Sequence, residues 1–209
     1  MVTSEPSARY ITNHLLRAAL LGISDVLGDE ALRRVLRAAG LEQVGLPPDD
    51  DRPSITYAAY ARLDAAIHQL YGPRAKAILR HIGAATFHRS LRDQTLLLRL
   101  LTHSVKMLPE RRRVRLLLEQ TARGLVEQTV PPQEAWVEED GDTLALCLRP
   151  CGLCTGRQSD EPLGHFLVGA VQAAIQWALG RRVEVVETQC MAMGHDHGRV
   201  EVRLKTSSS

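Results

Sequence analysis

From Tyr10 to Leu125 the apolar residues recur three or four positions apart, which is the pattern of helices with one buried face. Ile11, Leu15 and Ala19 open the first of these stripes. Glycine and proline interrupt the pattern, so helix breaks are expected at Gly28, Pro47–Pro48, Gly72–Pro73 and Pro109. This part of the chain is predicted to be entirely helical, with five or six helices.

After Pro131 and Pro132 the pattern changes to the alternation typical of strands. Ala135–Glu138 and Thr143–Leu148 flank Glu139–Asp142, a turn sequence that favours a hairpin. A helix is then predicted from Leu163 to Leu179 and is ended by Gly180. The pattern finally predicts a second strand pair, Val183–Gln189 and Arg199–Leu204.

A run of helices followed by strand pairs predicts an α+β fold. We expect an N-terminal helical layer packed on a C-terminal four-stranded antiparallel sheet, with one crossover helix. The 209 residues are 44% hydrophobic and contain no evident linker, so one domain is expected over 1–209. Within it, 1–130 is the helical part, 131–205 holds the sheet and crossover helix, and 206–209 is predicted to be a disordered tail.

Charge gives little reason to expect a nucleic acid or membrane partner, because the formal net charge is only +2. The basic run Arg111–Arg113 opens a helix with an apolar later face, and aromatic residues that could stack on bases make up only 4% of the chain. Met1–Ser7 is polar and lacks the features of a signal peptide, so a cytoplasmic protein is expected. No nucleophile elbow, P-loop or dinucleotide fingerprint supports an enzyme.

The four cysteines all lie in the last third of the chain and are the main chemical signal. In a reducing compartment, clustered thiols indicate metal binding more than disulfides. Cys151 and Cys154 are separated by two residues, which lets one turn point both sulfurs at the same ion. A second half of the site is offered around the turn between the last two strands by donors suited to zinc: Glu187, Cys190, His195 and His197.

An alternative interpretation remains open for these donors. Cys151 and Cys154 could be small loop residues, and His195 and His197 could be exposed on a turn. Cys147 lies on the strand face opposite Leu144, Leu146 and Leu148, so it is predicted to be a packing residue that a metal site could recruit.

The segments Gly164–Gly169 and Trp177–Gly194 resemble the 4-vinyl-reductase domain family. The resemblance extends from about Cys151 to Leu204. It implies a helical layer over a four-stranded antiparallel sheet, similar to small subunits of the transport-particle tethering complex and to heme-based nitric oxide sensor domains. It also implies a homodimer that binds a small hydrophobic molecule.

The aromatic-sensor branch of the family holds a structural zinc with three cysteines and one glutamate, and Glu187 and Cys190 match two of these ligands. Gly164 and Gly198 stand where the other two cysteines would fall. We therefore expect Cys151 and Cys154 to replace the first missing thiolate, and His195 or His197 to replace the second.

The predicted crossover helix carries several small residues, which could leave room for an apolar ligand between helix and sheet. Close packing of helix on sheet is the alternative. The candidate ligand-binding residues are Phe166, Ala170, Ala173 and Trp177. The leading hypothesis is a sensor-like domain for a small hydrophobic or aromatic molecule with a structural zinc. The alternatives are an accessory protein or reductase in tetrapyrrole metabolism and a protein–protein interaction module.

Overall fold

The computed structural model describes residues 8–93 and 107–204, so the predicted tail at 206–209 lies outside the described residues. The helices are α1 (Asn13–Leu27), α2 (Asp29–Ala38), α3 (Tyr57–Tyr71), α4 (Ala75–Asp93), α5 (Glu110–Glu127) and α6 (His165–Leu179). The strands are β1 (Tyr10–Thr12), β2 (Pro53–Thr56), β3 (Thr129–Val130), β4 (Glu134–Asp140), β5 (Thr143–Arg149), β6 (Glu184–Gln189) and β7 (Gly198–Arg203). Single 3₁₀ turns form at Gly72–Arg74, Gly152–Cys154 and Met191–Met193. None of the described helices is long and apolar enough to cross a bilayer.

The predicted α+β class and the four-stranded antiparallel sheet are confirmed. Strand order in this sheet is β4-β5-β7-β6, so two hairpins join through their second strands. In β5 the side chains alternate: Leu144, Leu146 and Leu148 face the helices, while Cys147 faces the other way. We call these the inner and outer faces of the sheet.

Helices α5 and α6 cover the inner face. Their apolar side chains pack on valines of β6 and β7 and on leucines of β5, forming one of two buried clusters. The other buried cluster lies among α1, α2, α3 and α4 and includes Cys151, Cys154 and Cys190. The cysteine-bearing loops therefore lie beneath the helical layer at one end of the sheet.

The prediction of an entirely helical region before Leu125 is wrong at two short segments, β1 and β2. These strands pair with each other and with β3 in a small antiparallel sheet ordered β2-β1-β3. Each of the first two strands ends on a threonine whose side chain caps the next helix: Thr12 accepts from Leu15 N at 3.3 Å and Thr56 from Ala59 N at 3.2 Å. Three or four residues are too few to display an alternating pattern, so the sequence shows only the helices that follow.

Helices α4 and α6 cross with almost no side chain between them. A Cβ built on Gly83 would lie 2.0 Å from the carbonyl oxygen of Phe166, and one on Gly169 would lie 2.0 Å from that of Arg80. Only glycine permits such an approach of two helix backbones. The crossing fixes the first turn of α6, which borders the candidate site.

Candidate metal site and ligand cavity

Two 3₁₀ turns bring the cysteines of distant segments together. Cys151 and Cys154 bracket the first turn, and the N–H of Cys154 donates to the carbonyl of Cys151 at 3.2 Å. Cys190 begins the second turn in the same way, since its carbonyl accepts from Met193 N at 3.0 Å. The two turns touch where Cys151 N donates to the sulfur of Met191 at 3.2 Å.

The thiols of Cys154 and Cys190 are in direct contact, with 3.7 Å between their sulfur atoms. All three cysteines of these turns are buried, and Cys190 is completely inaccessible. None of the chain's cysteines forms a disulfide. Residues 36 positions apart are thus brought within the distance that two sulfurs span when they share one ion.

Glu187 is the buried carboxylate next to these thiols. It points from β6 toward the inner side, and its Oε2 accepts from the backbone N–H of Gly164 at 2.6 Å. A Cβ on Gly164 would lie 2.8 Å from that same oxygen, so glycine is what allows the carboxylate to approach the start of α6. We call Cys151, Cys154, Glu187 and Cys190 the inner cluster.

Burial and mutual contact raise the pKa of Cys154, Glu187 and Cys190 and favour their protonated forms when no ion is bound. Burial, reinforced by Cys190, raises the pKa of Glu187 to about 8. The contact with Cys151, together with burial, raises the pKa of the Cys154 thiol to about 12. The pKa of the Cys190 thiol is likewise raised by the contact of that thiol with Cys154 and by burial. A bound cation would reverse this balance, because it stabilises thiolate and carboxylate.

An apolar cavity of about 80 Å³ adjoins the inner cluster. Cys151 and Glu187 belong to both, and Leu153, Phe166 and Leu167 form much of the apolar wall. A polar end is formed by the hydroxyl of Tyr57, which donates to Gln133 Oε1 at 2.9 Å. A smaller cavity of about 20 Å³ lies under α3 and also contacts Phe166.

The four candidate ligand-binding residues do not line one cavity in the described structure. Phe166 lines the cavity beside the inner cluster. Ala173 and Trp177 instead line a groove between α4 and α6. Ala170 packs at the glycine crossing, where its backbone nitrogen would lie 2.8 Å from a Cβ on Gly83.

The two candidate histidines fall on different sides of the sheet. His195 lies beside the backbone of Cys190, with its Nδ1 3.1 Å from the carbonyl oxygen of that residue. His197 lies on the outer face, where its ring packs against Trp136 with 5.2 Å between centroids. Its ligand atom groups with those of Glu138 and Cys147, all within 4.8 Å of one another. We call Glu138, Cys147 and His197 the outer triad.

A buried ion pair beside the smaller cavity was not predicted from the sequence. Asp64 of α3 is buried and pairs with Arg157 from the loop after the first cysteine turn. Burial raises the pKa of Asp64, and Arg157 opposes that rise. The Oδ1 atom of Asp64 is enclosed and has no hydrogen-bond partner among the described residues. The available signal was a charged residue inside the apolar stripe of α3, between Tyr60 and Ile67.

A comparison with protein families identifies the segment that contains the inner cluster. Residues 146–204 match the 4-vinyl-reductase domain. This match confirms the resemblance to the 4-vinyl-reductase domain family, and the matched segment runs from β5 to the end of β7. It contains all four residues of the inner cluster. No curated protein matches the chain.

Solved structures show the same overall fold at low sequence identity. The oxygen complex of an H-NOX domain related to soluble guanylate cyclases aligns with a TM-score of 0.58 and 12% identity, covering 94% of this chain and 96% of that one. An H-NOX protein from S. oneidensis in the Fe(II)NO state aligns with a TM-score of 0.56 and 12% identity, covering 94% and 100%. At this identity the likeness describes the fold alone.

Proposed function

We propose that this chain is a sensor-like domain that binds a small hydrophobic or aromatic molecule beside a structural zinc. The zinc is held by the inner cluster, and the molecule occupies the adjoining cavity. The observation that carries the proposal is the 3.7 Å separation between the sulfurs of Cys154 and Cys190. With zinc–sulfur bonds of about 2.3 Å in a tetrahedron, two thiolates on one zinc lie about 3.8 Å apart.

The donor set supports zinc. Three thiolates and one carboxylate match the composition that the family resemblance implies, and sulfur-rich tetrahedral sites favour zinc over harder cations. Glu187 and Cys190 are the two ligands that the family resemblance implies, and both lie within the matched residues 146–204. Cys154 supplies the thiolate that Gly164 lacks, and Gly164 itself lies against the same carboxylate. Among the described residues, no three ligand atoms of the inner cluster lie within 4.8 Å of one another, so Cys151 and Glu187 must rotate toward the sulfur pair to complete the site.

The cavity supports a ligand of modest size. An apolar cavity of roughly 150 Å³ can bind benzene, so a space of about 80 Å³ suits at most a single ring after small adjustments of its wall. The Tyr57–Gln133 pair offers a polar group at one end. Cys151 and Glu187 would bind the zinc and also line the cavity. The metal would therefore hold one wall of the cavity in position.

Heme does not fit the cavity beside the inner cluster. Pockets for drug-sized ligands measure about 300–1,000 Å³, several times the volume of that cavity. No histidine lines it or the smaller cavity under α3. The groove between α4 and α6 is larger, about 770 Å³, and its lining includes His81 and His88. We therefore place no heme beside the inner cluster. Homodimerisation and a cytoplasmic location remain predictions from the sequence, and the site contains no arrangement that assigns catalysis.

The zinc is tested by metal analysis of purified protein and of the Cys190→Ser variant. Wild type should retain zinc through dialysis, and Cys190→Ser should lose the ion held by the inner cluster. Gln189→Ala is the matched control, since it alters the neighbouring residue without removing a donor. Equal zinc content in wild type and Cys190→Ser would contradict the assignment.

Ligand binding is tested with phenol as the probe, by calorimetry on the metal-loaded protein. Leu167→Trp should fill the cavity and abolish the binding heat. Leu116→Trp, at an exposed position of α5, adds the same side chain elsewhere and should bind like wild type. A wild-type protein that binds no phenol, or a Leu167→Trp variant that binds it unchanged, would contradict the proposed cavity.

A further inference from the structure

The outer face of the four-stranded sheet carries three donors that the inner cluster does not use. Among the described residues, Glu138, Cys147 and His197 are the one set of three whose ligand atoms all lie within 4.8 Å of each other. We propose that this outer triad is a second metal site, which binds a divalent cation of the zinc class independently of the inner cluster.

Strand register brings the three side chains together. Glu138 is on β4 and Cys147 on β5, where Cys147 pairs with Trp136 on one side and Arg199 on the other. His197 immediately precedes β7. Donor atoms on one tetrahedral zinc lie about 3.3–3.8 Å apart, so rotations of side chains close the triad without moving a strand.

His197 has an unsatisfied nitrogen at this position. Its Nε2 is enclosed and has no hydrogen-bond partner in the described part of the chain. The imidazole is held against the Trp136 ring, which limits its rotation. An enclosed nitrogen without a partner is unusual in a folded protein, and a metal ion would satisfy it.

Neighbouring residues orient the carboxylate and balance its charge. Trp136 Nε1 donates to Glu138 Oε1 at 2.8 Å, in the manner of residues that support metal ligands. Arg199 pairs with Glu138 and also with Glu201, whose Oε1 lies 3.2 Å from its Nε. When Glu138 turns to a cation, Arg199 keeps Glu201 as its partner. The thiolate and Glu138 then neutralise the two charges of the ion.

The donor chemistry selects the ion class. A thiolate, an imidazole and a carboxylate together suit zinc and similar divalent metals, and three protein ligands leave one position for water. The side chain of Glu138 is 41% exposed, so solvent reaches the site. On binding, Cys147 releases its proton to solvent, and the Arg199 guanidinium 3.8 Å from its sulfur stabilises the thiolate.

The test is a titration of metal-free, reduced full-length protein with Co²⁺, following thiolate-to-cobalt charge-transfer absorption. Wild type should bind two ions. His197→Gln and Cys147→Ser should each bind one fewer, and Cys147→Ser should lose the absorption of that ion. Glu134→Gln is the matched control, because it removes a carboxylate from the same face of β4, where it pairs with Arg149 and takes no part in the outer triad or its charge balance. It should bind as many ions as wild type.

Trp136→Phe keeps an aromatic ring beside His197 but removes the hydrogen bond to Glu138, and should weaken one site by roughly 10- to 100-fold. If His197→Gln folds and binds as many ions as wild type, the outer site is refuted. If the inner cluster binds no metal, the titration gives a different number of bound ions. Wild type would then bind one ion, which His197→Gln removes and Cys190→Ser leaves in place.

Discussion

Gly169→Ala should destabilise the protein because the added methyl group has no space at the α4–α6 crossing. Its Cβ would lie 2.0 Å from the Arg80 carbonyl oxygen, whereas real Cβ atoms essentially never come within 3.0 Å of such an atom. The helices must separate by about 1 Å, since a backbone carbonyl cannot rotate away as a side chain can. Overpacking of this kind lowers the free energy of unfolding by about 1–3 kcal/mol. The higher helix propensity of alanine offsets up to about 1 kcal/mol of that loss.

We expect a net loss of about 2 kcal/mol in the free energy of unfolding, or roughly 4–8 °C in Tm for a chain of this size. Urea denaturation followed by circular dichroism measures it. Gly124→Ala is the matched control within α5, where a Cβ meets nothing within 4 Å, and it should be neutral or stabilising. Equal stability of the two variants would refute the close helix crossing.

Three further predictions concern the buried polar groups. Burial lowers the pKa of His165 from 6.5 to about 4, so the native protein binds fewer protons than the unfolded chain between these values. Stability should fall by about 3 kcal/mol as pH drops through that window, and His165→Leu should flatten the dependence in acid-denaturation curves. Arg157→Ala should cost about 3 kcal/mol at neutral pH by leaving buried Asp64 with only His68, whose Nε2 lies 3.7 Å from the carboxylate. Adding Asp64→Leu should recover part of that loss in urea titrations. Chelation should lower the Tm of wild type in thermal scans, whereas Cys190→Ser should show a smaller response, since structural zinc stabilises only the folded state.

The sequence predicts the sheet and crossover helix well because their signals are local. The helix predicted at Leu163–Leu179 forms at His165–Leu179, and both hairpins form at the expected turns. The short strands β1, β2 and β3 could not be predicted in this way. They are held by pairings between distant residues, such as Tyr10 with Thr56 and with Val130, which no local pattern records.

The inner cluster was identifiable from cysteine spacing, but the role of His197 was not. Gly198 pairs with Leu148 on the inner face, and a shift of one residue along a strand reverses the face. His197 therefore lies on the outer face with Cys147. The third member of the outer triad, Glu138, has no feature in the sequence that distinguishes it from an ordinary surface carboxylate. The sequence also did not show which residues of α6 line the cavity beside the inner cluster. The helix is apolar on nearly every side, so periodicity does not separate the face toward the sheet from the face toward α4.

Zinc K-edge X-ray absorption on the His197→Gln variant tests the central claim most directly, because that substitution removes the outer triad and leaves the inner cluster intact. The inner cluster predicts a shell of three sulfurs at about 2.3 Å and one oxygen at about 2.0–2.2 Å. Protein that contains no zinc, or a zinc shell of nitrogen and oxygen without sulfur, would contradict it.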